Sequence, residues 1–152
     1  MSTSVTILGC GASGGVPRIG GHWGNCDPTN PKNTRRRCSI LVQKKSEAGV
    51  TRVLVDTSPD MRMQLLDAGI GDVDAVIYTH EHADHTHGVD DLRQVSFNSK
   101  KRTDVYMTKR MSKIMLPKFS YCFETPADSV YPAILNACEI IPKVLVIPHC
   151  YP

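Results

Sequence analysis

No apolar run in this chain approaches the roughly 20 residues that a membrane-spanning helix needs. The longest is Val144-Leu145-Val146-Ile147, so no membrane partner is expected. The start, Met1-Ser2-Thr3-Ser4, has neither the basic nor the apolar region of a secretory leader, and the expected location is the cytoplasm. C-x-x-C pairs are missing as well. The six cysteines, at 10, 26, 38, 122, 138 and 150, are widely spread, which argues against a zinc ribbon or a thiol redox motif. Buried free thiols are the expectation for most of them in a reducing compartment. Charge of one sign is not in large excess: a net +3 is too small to argue for nucleic acid by itself. Three short basic runs, Arg35-Arg36-Arg37, Lys44-Lys45 and Lys100-Lys101-Arg102, read as solvated loops or, more pointedly, as phosphate-facing ones.

What is present is an ordinary globular composition, 41% apolar and 22% charged, over 152 residues, which fits one domain. Val5-Thr6-Ile7-Leu8 reads as a strand. It leads into Gly9-Cys10-Gly11-Ala12-Ser13-Gly14-Gly15, a formal match to G-x-G-x-x-G. A dinucleotide site would need a helix to open there. Pro17, Gly20, Gly21 and Gly24 follow instead, and residues 9–37 are expected to form a long functional loop. Strands are predicted over Cys38–Val42, Arg52–Asp56, Ala75–Tyr78 and Asp104–Met107, with a polar turn from Lys44 to Gly49. A last strand is predicted over Lys143–Ile147. A helix is predicted to start with Ser58 as N-cap and Pro59 at its first position, to bury Met61, Leu65, Leu66 and Ala68, and to stop at Gly69. A second is expected from Lys109 to Leu116, ending before Pro117, with residues 118–133 irregular. Strands alternating with helices predict a mixed α/β chain.

Four of the six histidines fall within residues 80–87, directly after the buried strand at 75–78. His80 and His82 are two apart, so in an extended segment both rings point the same way and can grip one cation. Asp84 and His85 arrive as the chain turns and can face a second cation beside the first. Two metals a few ångströms apart activate a shared water as a nucleophile and polarise the oxygen under attack. A His-rich tract without function is the alternative. The buried strand that aims the cluster argues for chemistry.

Thr79-His80-Glu81-His82-Ala83-Asp84-His85 resembles the H-x-H-x-D-H signature of the metallo-β-lactamase superfamily. Gly9 to Pro17, Cys26-Asp27-Pro28, Arg37-Cys38-Ser39, Val55 to Asp60, Gly88 to Arg93 and Tyr121 to Pro126 resemble its PhnP-like branch. The resemblance spans roughly residues 5–140, with 141–152 a divergent tail of the same single domain. It implies an αββα sandwich with a dinuclear site at one edge, most readily two Zn2+, with Mn2+ or Fe2+ compatible. It implies hydrolysis of a small phosphodiester substrate through a metal-bound hydroxide. His80 and His82 would hold the first metal, Asp84 and His85 the second, with Asp84 also catalytic. Asp56 would orient the site without ligating. RNA-processing relatives share the fold, so nucleic acid is an alternative partner. In the family, a third histidine, a bridging aspartate and a last histidine come from a second half. Here His149 alone follows, either as the third ligand or as an unrelated tail histidine. Hence the alternative expectation of a truncated, inactive remnant, or a half-domain that self-associates or needs a complementing fragment.

Overall fold

The structure is a computed structural model that describes residues 1–141. Both the predicted Lys143–Ile147 strand and His149 lie outside these residues. Six strands form one sheet in the order β1-β2-β3-β4-β5-β6. They are β1 (Ser2–Gly9), β2 (Ser39–Ser46), β3 (Gly49–Val55), β4 (Ala75–Ile77), β5 (Thr103–Met107) and β6 (Leu135–Glu139). The first three pair antiparallel and β3 to β6 run parallel. Five helices accompany them: α1 (Met61–Ala68), α2 (Ala83–Thr86), α3 (Leu92–Ser99), α4 (Lys109–Lys118) and α5 (Ser120–Phe123). The mixed α/β class is as expected.

The core lies between one sheet face and the helices. Leu41, Leu54, Val76, Val105 and Met107 meet Met61, Leu65, Leu92, Val95, Met111, Met115 and Phe119 there. Val76 and Val105 are fully buried, each worth about 1.5–3 kcal/mol over an exposed position. The other sheet face is also apolar. Cross-strand register aligns Ile7, Ile40, Val55 and Ile77 in one row and Val5, Val42 and Val53 in the next. None of these seven joins the core, and Val5 and Ile7 are 59% and 68% exposed.

Several local expectations needed correction. The predicted turn from Lys44 is strand as far as Ser46: Lys44 pairs with Thr51 and Lys45 with Val50 in a solvent-facing hairpin, where polar side chains cost nothing. Helix α1 begins at Met61 after Asp60, two residues later than predicted. Ser58 still works locally, accepting from the Asp60 N–H at 3.0 Å. Leu66, 58% exposed, and Ala68 face solvent instead, and Gln64 takes the buried place on that helix. Gly69 ends it at φ 66°, the left-handed stop anticipated. Helix α4 continues through Pro117 to Lys118. Met115 and Phe119 are both buried, and that packing outweighs the single backbone donor lost in the last turn. The 118–133 stretch contains α5, and β6 was not anticipated.

Residues 9–37 hold no helix beyond the single 3-10 turn Pro31–Asn33, which removes the dinucleotide reading. The glycines have another cause. A Cβ on Gly9 would sit 2.1 Å from the Arg37 carbonyl oxygen, and one on Gly11 2.8 Å from that of Arg36. The loop must run backbone to backbone against the arginine run, and the Gly11 N–H donates to Arg36 O at 2.7 Å.

Candidate metal centre

Strands β3 and β4 are parallel neighbours, with Val55 opposite Ile77, so their carboxyl ends meet at one rim. Asp56 leaves the first, and Tyr78-Thr79-His80 leaves the second. Asp56 takes φ 61°, a left-handed conformation that aspartate tolerates better than most residues. Its N–H donates to Ile77 O at 2.9 Å, which pins the turn to the neighbouring strand. The side chain is 3% exposed and fully partnered. Oδ1 accepts the Thr79 N–H at 2.8 Å; Oδ2 accepts the Thr79 hydroxyl at 2.7 Å and the His85 Nδ1–H at 2.7 Å.

These bonds settle two tautomers. A carboxylate only accepts, so His85 carries its proton on Nδ1 and leaves the Nε2 lone pair free. The Thr79 hydroxyl donates its hydrogen bond to Asp56, so it accepts from the His80 Nδ1–H at 2.9 Å. His80 therefore also presents a free Nε2. The rings of His80 and His85 lie 4.0 Å apart, and those of His80 and His82 4.6 Å apart. Asp84 Oδ2 stands 3.4 Å from His85 Nε2. A divalent cation held by both atoms would satisfy this pair.

His82 caps the short helix α2, and its extended φ and ψ end the alternation of the strand-like segment. The turn of α2 then swings Asp84 and His85 back toward His80. Asp56, His80 and His85 each place a ligand atom within 4.8 Å of the others. Both oxygens of Asp56 accept hydrogen bonds, one of them from His85, so the carboxylate fixes that ring whether or not it also faces a cation. Of the predicted residues the structure thus gathers His80 and His85, and it adds Asp56, expected only to orient the site, to the same group; His82 meets the His80 ring and Asp84 approaches His85, but neither joins that group. The other histidines sit elsewhere: His87 packs on Phe119 at 5.7 Å with Nδ1 against Ala83 O, and His22 lies by Gly20 in the long loop. Asp90 is engaged by the Tyr121 hydroxyl at 2.8 Å.

Thr79 was not singled out from the sequence as a site residue, although it stood inside the signature; a hydroxyl between a buried strand and the first histidine was the signal. Ser39 was likewise missed. It is buried, and its hydroxyl donates to the carbonyls of Val55 and Asp56 at 3.0 and 3.1 Å, which holds β3's end in place. Gly88 closes the back of the site: a Cβ there would lie 2.1 Å from Ser58 O. The cysteines depart from expectation. Cys10, Cys26 and Cys38 are exposed, Cys138 is partly buried, and Cys122 alone of those described is buried. Burial pushes the Cys122 thiol up to about 11, and the neighbouring Asp90 carboxylate adds to it. Partial desolvation also raises the Cys38 thiol, with help from Asp56, Cys10 and Asp84.

A fold of this topology with imidazoles and carboxylates at the rim defines a class of metal-binding α/β proteins. Sequence comparison agrees: a model of the Beta-lactamase superfamily domain matches residues 51–142. The chain belongs to the metallo-β-lactamase superfamily, in its PhnP-like part. It is 33% identical to a diphosphatase of the PhnP family of known crystal structure, with a TM-score of 0.74, covering 92% of this chain and 51% of that one. Zn(2+)-bound PqqB from Methylobacterium extorquens shares the fold at 20% identity, with a TM-score of 0.62 over 91% of this chain and 46% of that one. A protein of Porphyromonas gingivalis (strain ATCC BAA-308 / W83) named octanoyltransferase is 38% identical over 140 residues, 91% of this chain but 27% of that protein. The chain thus spans about half the length of these solved relatives and about a quarter of that curated one.

Proposed function

We propose that this chain carries the metal-binding part of a hydrolase acting on phosphodiester bonds. The observation that carries the reading is the pair of free Nε2 edges on His80 and His85, fixed by Thr79 and Asp56, with Asp84 Oδ2 3.4 Å from one of them. His80 and His82 would hold one divalent metal and Asp84 and His85 a second. Zinc suits this donor set best, and manganese or iron is compatible. Such an ion supplies Lewis acidity toward a phosphoryl oxygen and makes water a nucleophile at neutral pH.

The chain's own side chains supply the rest. Asp56 keeps His85 in one tautomer and orientation. Thr79 does the same for His80 and ties the two strand ends together. Asp84 Oδ2 is the free carboxylate oxygen nearest the imidazoles, and so the group placed to hold a proton of the attacking water. The 33%-identical relative is a diphosphatase, which supports phosphate chemistry. The name octanoyltransferase belongs to a protein of which the match covers 27%, and nothing at the rim calls for acyl transfer.

A second reading is favoured by the uncovered apolar sheet face: a half-domain that acts once a further β-layer is docked on it. His149 remains a candidate third ligand under either reading. The test is to load the purified chain with zinc or manganese, remove the excess and count retained metal, then assay hydrolysis of bis-p-nitrophenyl phosphate. His82→Ala should lower metal affinity by more than the about 10–100-fold typical of an outer-shell partner. Equal metal retention by wild type and variant would refute the proposal.

A further inference from the structure

Cys10 and Cys38 face each other where β1 leaves the sheet. Gly9 pairs with Ser39 and Gly11 bridges to Arg37, so these two cysteines stand opposite each other between the two contacts. The glycines on either side of Cys10 bring the two stretches close. A Cβ on Gly9 would lie 2.1 Å from Arg37 O, and one on Gly11 2.8 Å from Arg36 O. The Gly11 N–H donates to Arg36 O at 2.7 Å. Residues opposite each other on neighbouring strands have Cα atoms about 4.5–5.5 Å apart. A disulfide spans about 4.4–6.8 Å between Cα atoms, so this crossing suits one.

Both residues are exposed, where a small reagent can reach them. Desolvation raises the Cys38 thiol most, and Asp56, Cys10 and Asp84 add to the rise. The two sulfurs are therefore within electrostatic reach of each other, and the pair stands beside the metal centre. Cys122 is buried and Cys138 partly so, which leaves Cys26 as the exposed competitor among the described residues. A C-x-x-C pattern finds thiols that neighbour along the chain. This pair is made by strand contacts instead, so no local motif announces it.

We propose that Cys10 and Cys38 form a thiol pair that closes to an intramolecular disulfide by exchange with a small-molecule disulfide of the glutathione class. One cysteine sulfur attacks the small disulfide, forms a mixed disulfide and releases one thiol. The other cysteine sulfur then attacks the protein sulfur of that intermediate, forms the Cys10–Cys38 bond and releases the second thiol. Both cysteine sulfurs are oxidised, the small disulfide is reduced, and the two cysteine protons end on the two released thiols. The bond ties the mouth of the glycine-rich loop to the start of β2, one residue before Ser39, whose hydroxyl holds the Val55 and Asp56 carbonyls.

The experiment incubates the reduced, metal-stripped chain with oxidised glutathione under argon, traps remaining thiols with iodoacetamide and maps the peptides by mass spectrometry. The chain is expected to lose two of its six thiols, to yield peptides joined through Cys10 and Cys38, and to recover both thiols with dithiothreitol. Cys38→Ser should instead keep a glutathione on Cys10, because the second displacement is lost. Cys26→Ser should cross-link as the wild type does. Cys10 and Cys38 both trapped as free thiols, or each carrying its own glutathione, overturns the proposal. A disulfide through Cys26, or one between two chains, overturns it equally.

Discussion

Asp56 concentrates more of the site's organisation than any side chain expected to touch a cation. It sits at φ 61°, nearly inaccessible, and accepts three hydrogen bonds from Thr79 and His85. Asparagine tolerates the same backbone conformation, so Asp56→Asn isolates the charge from the turn. An amide can no longer accept on both ends, and the His85 tautomer is released. Zinc affinity measured against a chromophoric chelator should fall about 10–100-fold while the far-ultraviolet circular dichroism is kept. An unchanged affinity would show that Asp56 does not orient the ligand. The candidate cluster was legible in sequence because chemistry and spacing coincide in six consecutive residues after a buried strand, though of its members the structure groups only His80 and His85 with Asp56. Asp56 was legible through resemblance. Thr79 and Ser39 were not, because a hydroxyl bonding to a turn has no spacing of its own.

Among the elements, the joint between the arginine run and α1 is the one most exposed to pH. Asp60, at the start of α1, is held well below the usual carboxylate range by its side-chain hydrogen bond with Arg37, against a smaller upward effect of burial. A carboxyl lowered on folding contributes stability that is fully present above its ordinary value of 3.8 and is lost as pH falls through the lower folded value. Asp60→Asn should therefore cost stability at neutral pH and progressively less in acid. Urea denaturation of both proteins at stepped pH below 5 checks this; a constant difference would contradict it. Strand positions were largely readable, since Val, Ile and Leu runs bounded by glycine or polar residues admit few alternatives. Helix ends were less so. Leu66 carries an apolar side chain to solvent, and α4 passes a proline, because packing of Gln64, Met115 and Phe119 decided those positions and none of it is local.

Among the described residues the molecule is asymmetric: helices cover one sheet face, and the other leaves Val5, Ile7, Ile40, Val42 and Val53 outside the core. Such a surface is expected to associate. Sedimentation velocity should show concentration-dependent self-association, and Ile7→Lys should weaken it about tenfold or more, given about 1.5–3 kcal/mol for an isoleucine moved between water and an interface. A strictly monomeric wild-type chain would count against an unpaired β-layer. That sheet was foreseeable as a fold, while its bare side became visible only once cross-strand register was known. The parallel strands have a longer-term consequence. The candidate cluster hangs from the carboxyl ends of β3 and β4, while Leu54, Val76 and Val105 of the core lie within the strands themselves. Inherited changes at the rim can alter chemistry without loosening the interior, so a lineage built on this sheet is free to trade one reaction for another.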